Sequence, residues 1–272
     1  MSNNLRRILT ALVAAPVALG IAYWGGWAFA GLVAVIGGVG QAELYGMARR
    51  TGAAPHVPAG VALGGSCVVA LAAPAWWPLP ALVLAAFLVA APFRLPQSAF
   101  LQSLAVTLAG AVYPTGLLGS LVLLRSARTA AVDARTAFWL VVLIFLLVWA
   151  TDIFAYYVGR AVGQHPLAPQ ISPNKTWEGT LGGLAAAALV AVLLKTTVLD
   201  LLAWPDVAVL ALLGGGVSQV GDLLESQLKR ATGADDSSSL LPGHGGVLDR
   251  FDAMLVAAPL IYLYLHLVAG LV

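Results

Sequence analysis

Long apolar runs separated by short polar stretches extend from one end of the chain to the other. Runs of about 20 residues match a hydrocarbon core about 30 Å thick, and the shorter ones lie near the lower limit for a spanning helix. The alternation typical of barrel strands is missing, and unpaired backbone groups are costly in lipid. The pattern therefore predicts an all-α integral membrane protein with about nine transmembrane helices. The runs are 8–23, 27–48, 59–74, 78–93, 98–124, 136–157, 176–198, 205–220 and 253–272.

One of these runs, 98–124, is longer than a bilayer requires. Its helix is therefore expected to tilt, or to bend near Pro114. Glycine and alanine are frequent in the runs, as in GGLAAAALVA after Leu181. Such small residues indicate close helix packing and not nucleotide binding.

Composition agrees with a membrane protein and excludes some functions. Hydrophobic residues make up 60% of the chain and charged residues only 10%, against roughly 25% charged residues in soluble domains. The net charge of +2 is too small, and the basic residues too dispersed, to indicate binding of nucleic acid. Cys67 is the single cysteine, so no internal disulfide is possible.

The distribution of basic residues predicts the orientation in the membrane. With a cytoplasmic N-terminus, ten of the 14 lysine and arginine residues fall on the inside, as the positive-inside rule requires. The C-terminus then lies outside, and the polar segments 160–175 and 221–252 face the cytoplasm. No internal repeat or soluble domain is visible. We therefore treat 1–272 as one polytopic domain, with 1–150 mainly scaffold and 151–272 carrying the candidate chemistry.

The first polar region begins near the end of the sixth run. A carboxylate at membrane depth costs at least about 2.5 kcal/mol on the insertion scale, so Asp152 should face a cavity or a cation. Tyr156 and Arg160 follow on the same helical face. In the next loop Lys175 stands at a helix start, where free N–H groups favour an anion, and Thr176 is a candidate N-cap. The alternative is a cytoplasmic turn that merely carries positive-inside charge.

The second polar region follows the eighth run. Asp222, Glu225, Ser226 and Lys229 are spaced i, i+3, i+4 and i+7, so a helix places them on one stripe. Asp222 directly follows the apolar run and needs a partner there. For Lys229 taken alone, a solvated helix end is the simpler explanation.

Further along, the turn LPGHGG precedes the last helix. Gly245 and Gly246 permit backbone geometries that other residues resist, and successive N–H groups there can form an anion-binding nest. Asp249 and Asp252 share the first turn of the predicted helix. Carboxylate oxygens suit Mg²⁺, whereas the scattered histidines argue against zinc. His244 is either an acid or base, or a residue whose hydrogen bond stabilises the turn.

These residues resemble a known family. S-Q-L-K-R, four residues, D-D and then S-S-S-L-L-P-G-H-G-G-V-L-D-R-F-D closely resembles the signature of phosphatidate cytidylyltransferases, also called CDP-diacylglycerol synthases. DIFAYYVGR, SPNKTWEGTLGG and GDLLES resemble other shared segments, so the resemblance covers essentially the whole chain. At one position the family pattern has a lysine and this chain has Asp235. No role is transferred to that residue.

The resemblance implies transfer of a cytidylyl group from CTP to phosphatidic acid, which gives CDP-diacylglycerol and pyrophosphate in phospholipid biosynthesis. It implies a polar cavity open to the cytoplasm in a multi-pass protein of the cell (inner) membrane, and a homodimer. Asp222 and Asp249 are assigned to an Mg²⁺ centre, with Asp252 and Asp152 as outer members. A second metal ion, divalent or monovalent, is compatible with this centre.

The other implied site residues are basic side chains that clamp phosphates, and residues that shape or line the substrate pocket. The clamping set is Lys175, Lys229, Arg230 and Arg250. The pocket set is Arg160, Ser172, Thr176, Ser226, His244, Gly245 and Gly246.

Two rival functions stay open at this stage. A related membrane nucleotidyl- or phosphotransferase that acts on another lipid would use the same metal and phosphate chemistry. An ion-coupled transporter could also carry Asp152 and Asp222 at membrane depth. Against the transporter stand the lack of inverted repeats and the clustering of charge at one surface.

Overall fold

The computed structural model describes residues 3–240 and 245–272, with side chains from residue 14 onward. The described residues form eleven α-helices and one two-stranded hairpin. The elements are α1 Asn3–Trp24, α2 Gly26–Arg49, α3 Val57–Ala72, α4 Leu79–Arg94, α5 Phe100–Gly110, α6 Leu117–Ser126, α7 Ala134–Val162, β1 Pro166–Ala168, β2 Ser172–Thr176, α8 Trp177–Thr197, α9 Trp204–Ala211, α10 Ser218–Thr232 and α11 Leu248–Leu263.

Several helical segments have the length and apolar composition needed to cross a membrane. Within the described ranges seven qualify, and two shorter apolar helices, Ala14–Trp24 and Val57–Ala72, match the first and third predicted runs. The predicted helical fold with membrane-length apolar segments is therefore confirmed, while nine crossings stays a prediction. The seven segments are Gly26–Arg49, Pro74–Arg94, Gln97–Ser126, Ala134–Val162, Trp177–Thr197, Trp204–Thr232 and Leu248–Val268.

Three of these segments contain wider, π-helical turns, and one of these turns, Tyr264–Val268, directly follows α11. The first, Ala111–Gly116, lies between α5 and α6 and includes Pro114, near which the sequence predicted a bend as the alternative to a tilt. Proline cannot donate the backbone hydrogen bond that an α-helix needs, so a local change of helix type is expected there. The second, Leu212–Val217, joins α9 to α10 and contains three consecutive glycines.

Packing divides the chain into two compact units. The first contains Met1–Leu123 and Leu228–Phe251, and the second contains Leu124–Gln227 and Asp252–Val272. The divisions between the units fall inside α6, α10 and α11.

A buried polar network ties together the helices of the first unit. Gln41 of α2 donates through Nε2 to the Tyr45 hydroxyl at 2.6 Å and accepts from the Thr115 hydroxyl at 3.0 Å. The Tyr45 hydroxyl in turn donates to the Thr107 carbonyl at 2.6 Å. Such side-chain hydrogen bonds stabilise contacts between helices, whereas apolar side chains can pack as well against lipid as against another helix. They fix the position of α2 in this unit.

In the second unit, glycines bring α7 and α8 close together. A Cβ on Gly179 would lie 2.7 Å from the Ala155 carbonyl oxygen, and one on Gly183 would lie 2.9 Å from the Thr151 carbonyl oxygen. Only glycine fits at such separations without moving a backbone. The packing role predicted for the small residues after Leu181 is thereby confirmed.

The polar connection between α7 and α8 is more regular than the loop that the sequence suggested. β1 pairs antiparallel with β2, with Pro166 opposite Thr176 and Ala168 opposite Ser172. Strands this short carry too few residues for an alternating pattern to be recognised. The hairpin matters because its second strand delivers Lys175 and Thr176 to the start of α8.

Candidate active site

In the second unit, the end of the hairpin meets the start of α10. Lys175 Nζ lies 2.6 Å from Asp222 Oδ2, with side chains 22% and 33% exposed. Ser226, one turn further along α10, donates to Asp222 Oδ1 at 3.3 Å. Thr176 Oγ1 accepts from the Gly179 amide at 3.1 Å, so the predicted N-cap of α8 is confirmed. Asp222 was predicted to need a partner because it directly follows an apolar run, and that partner is Lys175.

Two further carboxylates belong to this cluster. Asp252 is buried, and it interacts electrostatically with Asp222, Asp152 and Lys175. A Cβ on Gly221 would overlap the Asp252 carbonyl oxygen, so α10 and α11 touch backbone to backbone at this point. The cluster combines three carboxylates with one lysine and so has an excess of negative charge.

The remaining predicted residues of the second unit lie around the hairpin. Arg160 donates to the Tyr156 hydroxyl at 3.0 Å, which confirms that the two share a helical face. Ser172 begins β2 and is half-buried. Glu178, in the first turn of α8, accepts from the backbone amides of Gln164 and His165. This last contact closes the end of the hairpin onto α8.

The first unit contains a second ion pair, made by Asp249 at the start of α11. Asp249 Oδ1 lies 2.7 Å from Lys229 Nζ, and the Asp249 side chain is only 4% exposed. Its Oδ2 accepts from the Ser237 hydroxyl at 2.6 Å, the Ser237 amide at 3.0 Å and the Gly246 amide at 2.7 Å. Both oxygens of this carboxylate are therefore engaged.

Glu43 of α2 is the residue that sequence reasoning missed. It is buried and accepts from the Ser238 hydroxyl at 2.6 Å, the Val247 amide at 3.0 Å and the Leu248 amide at 2.7 Å. The sequence did contain a signal, because Glu43 is a carboxylate inside an apolar run. Its free-energy cost at membrane depth is the same as that of Asp152.

The glycine turn adopts the kind of geometry that the sequence predicted. Gly245 has a φ of 77°, a region that favours glycine. The amides of Gly246, Val247 and Leu248 all point at carboxylates, so this stretch does bind anions. The anions are Asp249 and Glu43 of the chain itself, a pairing that the sequence could not reveal. His244 lies outside the described residues.

Three side chains near these clusters remain accessible or partly so. Arg230 and Arg250 are exposed, and Lys229 has 17% of its side chain exposed. Long basic side chains at a surface can reach an approaching phosphate without losing their solvation first. Their positions are consistent with phosphate binding and do not by themselves assign it.

Beside Glu43, the first unit has a cavity of about 740 Å³. Its polar end is formed by Glu43, Ser237 and Ser238, and the rest of the wall is apolar. The apolar wall consists of Ala34, Val35, Gly38, Val39, Ala42, Gly46, Val61, Gly65 and Leu240. The cavity thus has the character expected for a molecule with a polar head and an apolar tail.

The aspartates of the site carry oxygen donors of the kind that bind a metal, but they are not arranged around one point. Across 3–240 and 245–272, no three His, Cys, Asp or Glu side chains converge as a ready metal site. The cluster of Asp152, Asp222 and Asp252 nevertheless offers hard oxygen donors with excess negative charge, which fits a divalent cation. Asp249 would have to exchange one of its present donors to bind a metal.

Fold and site together define a multi-pass membrane protein in which two acidic side chains, Asp222 and Asp249, are each paired with a lysine. The model of the family described as the cytidylyltransferase family matches residues 5–268. A phosphatidate cytidylyltransferase of Synechocystis sp. is 32% identical over 96% of this chain and 96% of its own length. The chain belongs to the cytidylyltransferase family, as its signature predicted.

Other relatives match more closely over a shorter part. A phosphatidate cytidylyltransferase of Brucella abortus is 53% identical over 132 residues, 48% of this chain and 48% of the relative. One of Haemophilus influenzae is 42% identical over 131 residues, 47% of this chain and 46% of the relative. The match thus spans about half the length of these two relatives.

Proposed function

We propose that this protein transfers a cytidylyl group from CTP to phosphatidic acid, giving CDP-diacylglycerol and pyrophosphate. The observation that carries the proposal is that a signature carboxylate in each unit is paired with a lysine. These pairs are Lys175 with Asp222 at 2.6 Å and Lys229 with Asp249 at 2.7 Å. The names of the relatives support the same activity.

These ion pairs suit an incoming metal–phosphate complex. Asp222 and Asp249 would hold the cation of such a complex, and Lys175 and Lys229 would hold its phosphates, so every charge would keep an opposite neighbour. Lysine and carboxylate would separate at little electrostatic cost, because neither is left alone in a poorly solvated place. A hydrophobic residue at either position could not take part in this exchange.

For the metal we propose Mg²⁺, with Asp222 and Asp249 as ligands and Asp252 and Asp152 as supporting charges, and with a second divalent or monovalent ion compatible. When bound, Mg²⁺ neutralises phosphate oxygens and favours departure of pyrophosphate. Among the protein groups, Ser226 orients the Asp222 carboxylate through its hydroxyl. Ser237 and Gly246 do the same for Asp249.

For the phosphates we propose Lys175, Lys229, Arg230 and Arg250 as clamps. The substrates are two polyanions, and the basic side chains reduce their repulsion as the lipid phosphate approaches the α-phosphorus in line. That phosphate is already ionised at neutral pH, so no strong general base is required. His244, Arg160 and Ser172 are then proposed to shape the pocket, together with Thr176, Gly245 and Gly246.

The lipid substrate is supported by the cavity beside Glu43. Its apolar walls come mainly from the apolar helices α2 and α3, with Leu240 in addition, and its polar end includes Ser237 and Ser238 of the signature segment. An acyl chain along the apolar wall would leave the head of the lipid at the polar end. We further propose a location in the inner membrane with the site on the cytoplasmic side, and a homodimeric assembly.

The test is turnover by the purified full chain with CTP labelled at the α-phosphate and phosphatidic acid in mixed micelles. Lipid-dependent and Mg²⁺-dependent formation of labelled CDP-diacylglycerol is expected, and Asp222→Asn should lower its rate roughly 10-fold or more. Phosphatidic acid that is inert while another lipid phosphate or polyprenol reacts would contradict the proposal. That result would establish the related transferase instead.

A further inference from the structure

We propose that Glu43 is a positioning residue of the active site, which holds Asp249 in place through the segment around Ser237 and the start of α11. The proposal rests on the proposed function for its kinetic part only. Glu43 lies on α2, far along the chain from the signature, and every contact used here is within the first unit.

Glu43 binds two separate pieces of the signature segment at once. Oε1 accepts from the Ser238 hydroxyl at 2.6 Å and the Val247 amide at 3.0 Å. Oε2 accepts from the Leu248 amide at 2.7 Å. The amides of 247 and 248 stand at the N-terminus of α11, where unpaired N–H groups attract an anion. A neutral side chain of similar size could not satisfy these donors equally.

Ser237 connects this carboxylate to Asp249. Its hydroxyl oxygen lies 2.6 Å from Asp249 Oδ2 and 3.3 Å from Glu43 Oε2. A hydroxyl has one hydrogen to donate, so the nearer acceptor, Asp249, receives it. Glu43 is instead held by Ser238 and by the start of α11. Asp249 Oδ2 therefore depends on donors that lie in segments anchored by Glu43.

The glycine at 246 packs directly against this network. A Cβ on Gly246 would overlap the Ser237 hydroxyl and would lie 2.7 Å from the Glu43 carboxyl carbon. Glu43, Gly246 and Ser237 are thus in direct packing contact as well as in hydrogen-bond contact. We therefore expect a change at Glu43 to shift the donors of Asp249 Oδ2 and, with them, the position of Oδ1 relative to Lys229.

Catalysis should therefore respond to Glu43 through Asp249. In Glu43→Gln, one carboxylate oxygen is replaced by an NH₂ group, which cannot accept a hydrogen bond. One of the backbone amides at the start of α11 therefore loses its acceptor. We expect kcat to fall roughly 10- to 100-fold, the range for losing a hydrogen bond to a charged group, with KM for CTP nearly unchanged. The Mg²⁺ concentration for half-maximal rate should rise, because Asp249 is a proposed ligand.

A readout independent of turnover is hydrogen exchange in detergent. Amides of 233–240 and 245–250 should exchange faster in Glu43→Gln than in the wild type, while those of α7 and α8 stay unchanged. The matched control is Gln41→Leu, which also removes buried hydrogen bonds from α2, but those bonds go to Tyr45 and Thr115 and not to the signature segment. It should lower thermal stability without changing exchange in either signature segment or the Mg²⁺ requirement.

Three results decide the proposal. In an Asp249→Asn background, Glu43→Gln should lower kcat only slightly below that of Asp249→Asn alone, because both changes act on the same carboxylate. A full additional loss, or normal exchange in the signature segments of Glu43→Gln, overturns the proposal. If Glu43→Gln does not fold, Ser238→Ala removes one Glu43 contact and should cause the same effects more weakly. A wild type without turnover contradicts the proposed function, yet the exchange comparison still tests Glu43.

Discussion

Lys175 Nζ lies 2.6 Å from Asp222 Oδ2, which joins the end of the β-hairpin to the start of α10. Both side chains are partly buried, so the pair is more than a surface contact of negligible energy. The hairpin and α10 are distant in the sequence, and each supplies one charge. This relationship leads to the first prediction.

Breaking the pair should reduce catalysis from either side. Lys175→Met and Asp222→Asn are each expected to lower kcat/KM roughly 10-fold or more, because each leaves the other charge without its partner. The double variant should fall by less than the product of the single losses. The measurement is steady-state kinetics with varied CTP.

Lys195→Met serves as the control for loss of a lysine in the same unit. Lys195 donates to the Leu202 carbonyl and lies over Trp204, away from the hairpin. It should retain nearly normal kcat/KM. Strictly additive losses for Lys175 and Asp222 would contradict the view that they act as a pair.

Gly221 should tolerate no side chain. A Cβ there would overlap the Asp252 carbonyl oxygen, so Gly221→Ala must push α10 away from α11. We expect a loss of about 1–3 kcal/mol in stability and a marked loss of turnover, since Asp222 is the next residue. Thermal unfolding and specific activity of the purified protein measure the two effects.

Gly31→Ala is the matched control, because a Cβ at Gly31 has no neighbour within 4 Å. Its melting temperature and activity should stay near those of the wild type. An active and stable Gly221→Ala variant would show that the backbones do not touch as described.

Filling the cavity beside Glu43 should impair use of the lipid and spare CTP. Gly65 lines the cavity and has open space in the direction of a side chain, so Gly65→Leu can be accommodated and should occupy the apolar wall. We expect KM for long-chain phosphatidic acid to rise several-fold, with a smaller effect for short acyl chains.

Gly31→Leu places the same side chain on α2 outside the cavity and controls for added bulk. The measurement is the initial rate against lipid concentration for two acyl lengths. Equal effects on long and short lipids, or a changed KM for CTP alone, would contradict a lipid role for the cavity.

Asp235 is the position where the signature departs from its family. Its side chain is exposed, so a change in charge can be made there without disturbing the core. Asp235→Lys should lower KM for CTP or for phosphatidic acid, since a cation replaces an anion beside a proposed phosphate site. Asp200→Lys, at another exposed aspartate, should not. An unchanged KM for both substrates would mean that the position does not contact phosphate.

Much of this molecule follows from local features of the sequence. Apolar length predicted the membrane helices, because the bilayer sets the number of residues required. Thr176 predicted an N-cap, because capping depends on the nearest turn of backbone. Pro114 lies in a π-helical turn, and the bend predicted near it stays a prediction. The signature predicted the family. The hairpin was missed, since three- and five-residue strands are too short to show a period.

Tertiary structure decided the partners of the charged groups. No spacing in the sequence indicates that Glu43 reaches Ser238 and Leu248, or that Lys175 reaches Asp222. These pairs form because helix packing brings distant segments together, and because a charge taken out of water must find an opposite charge or a donor wherever the fold presents one. The sequence by itself determined which chemical groups this protein carries; the tertiary structure determined which of them act on each other.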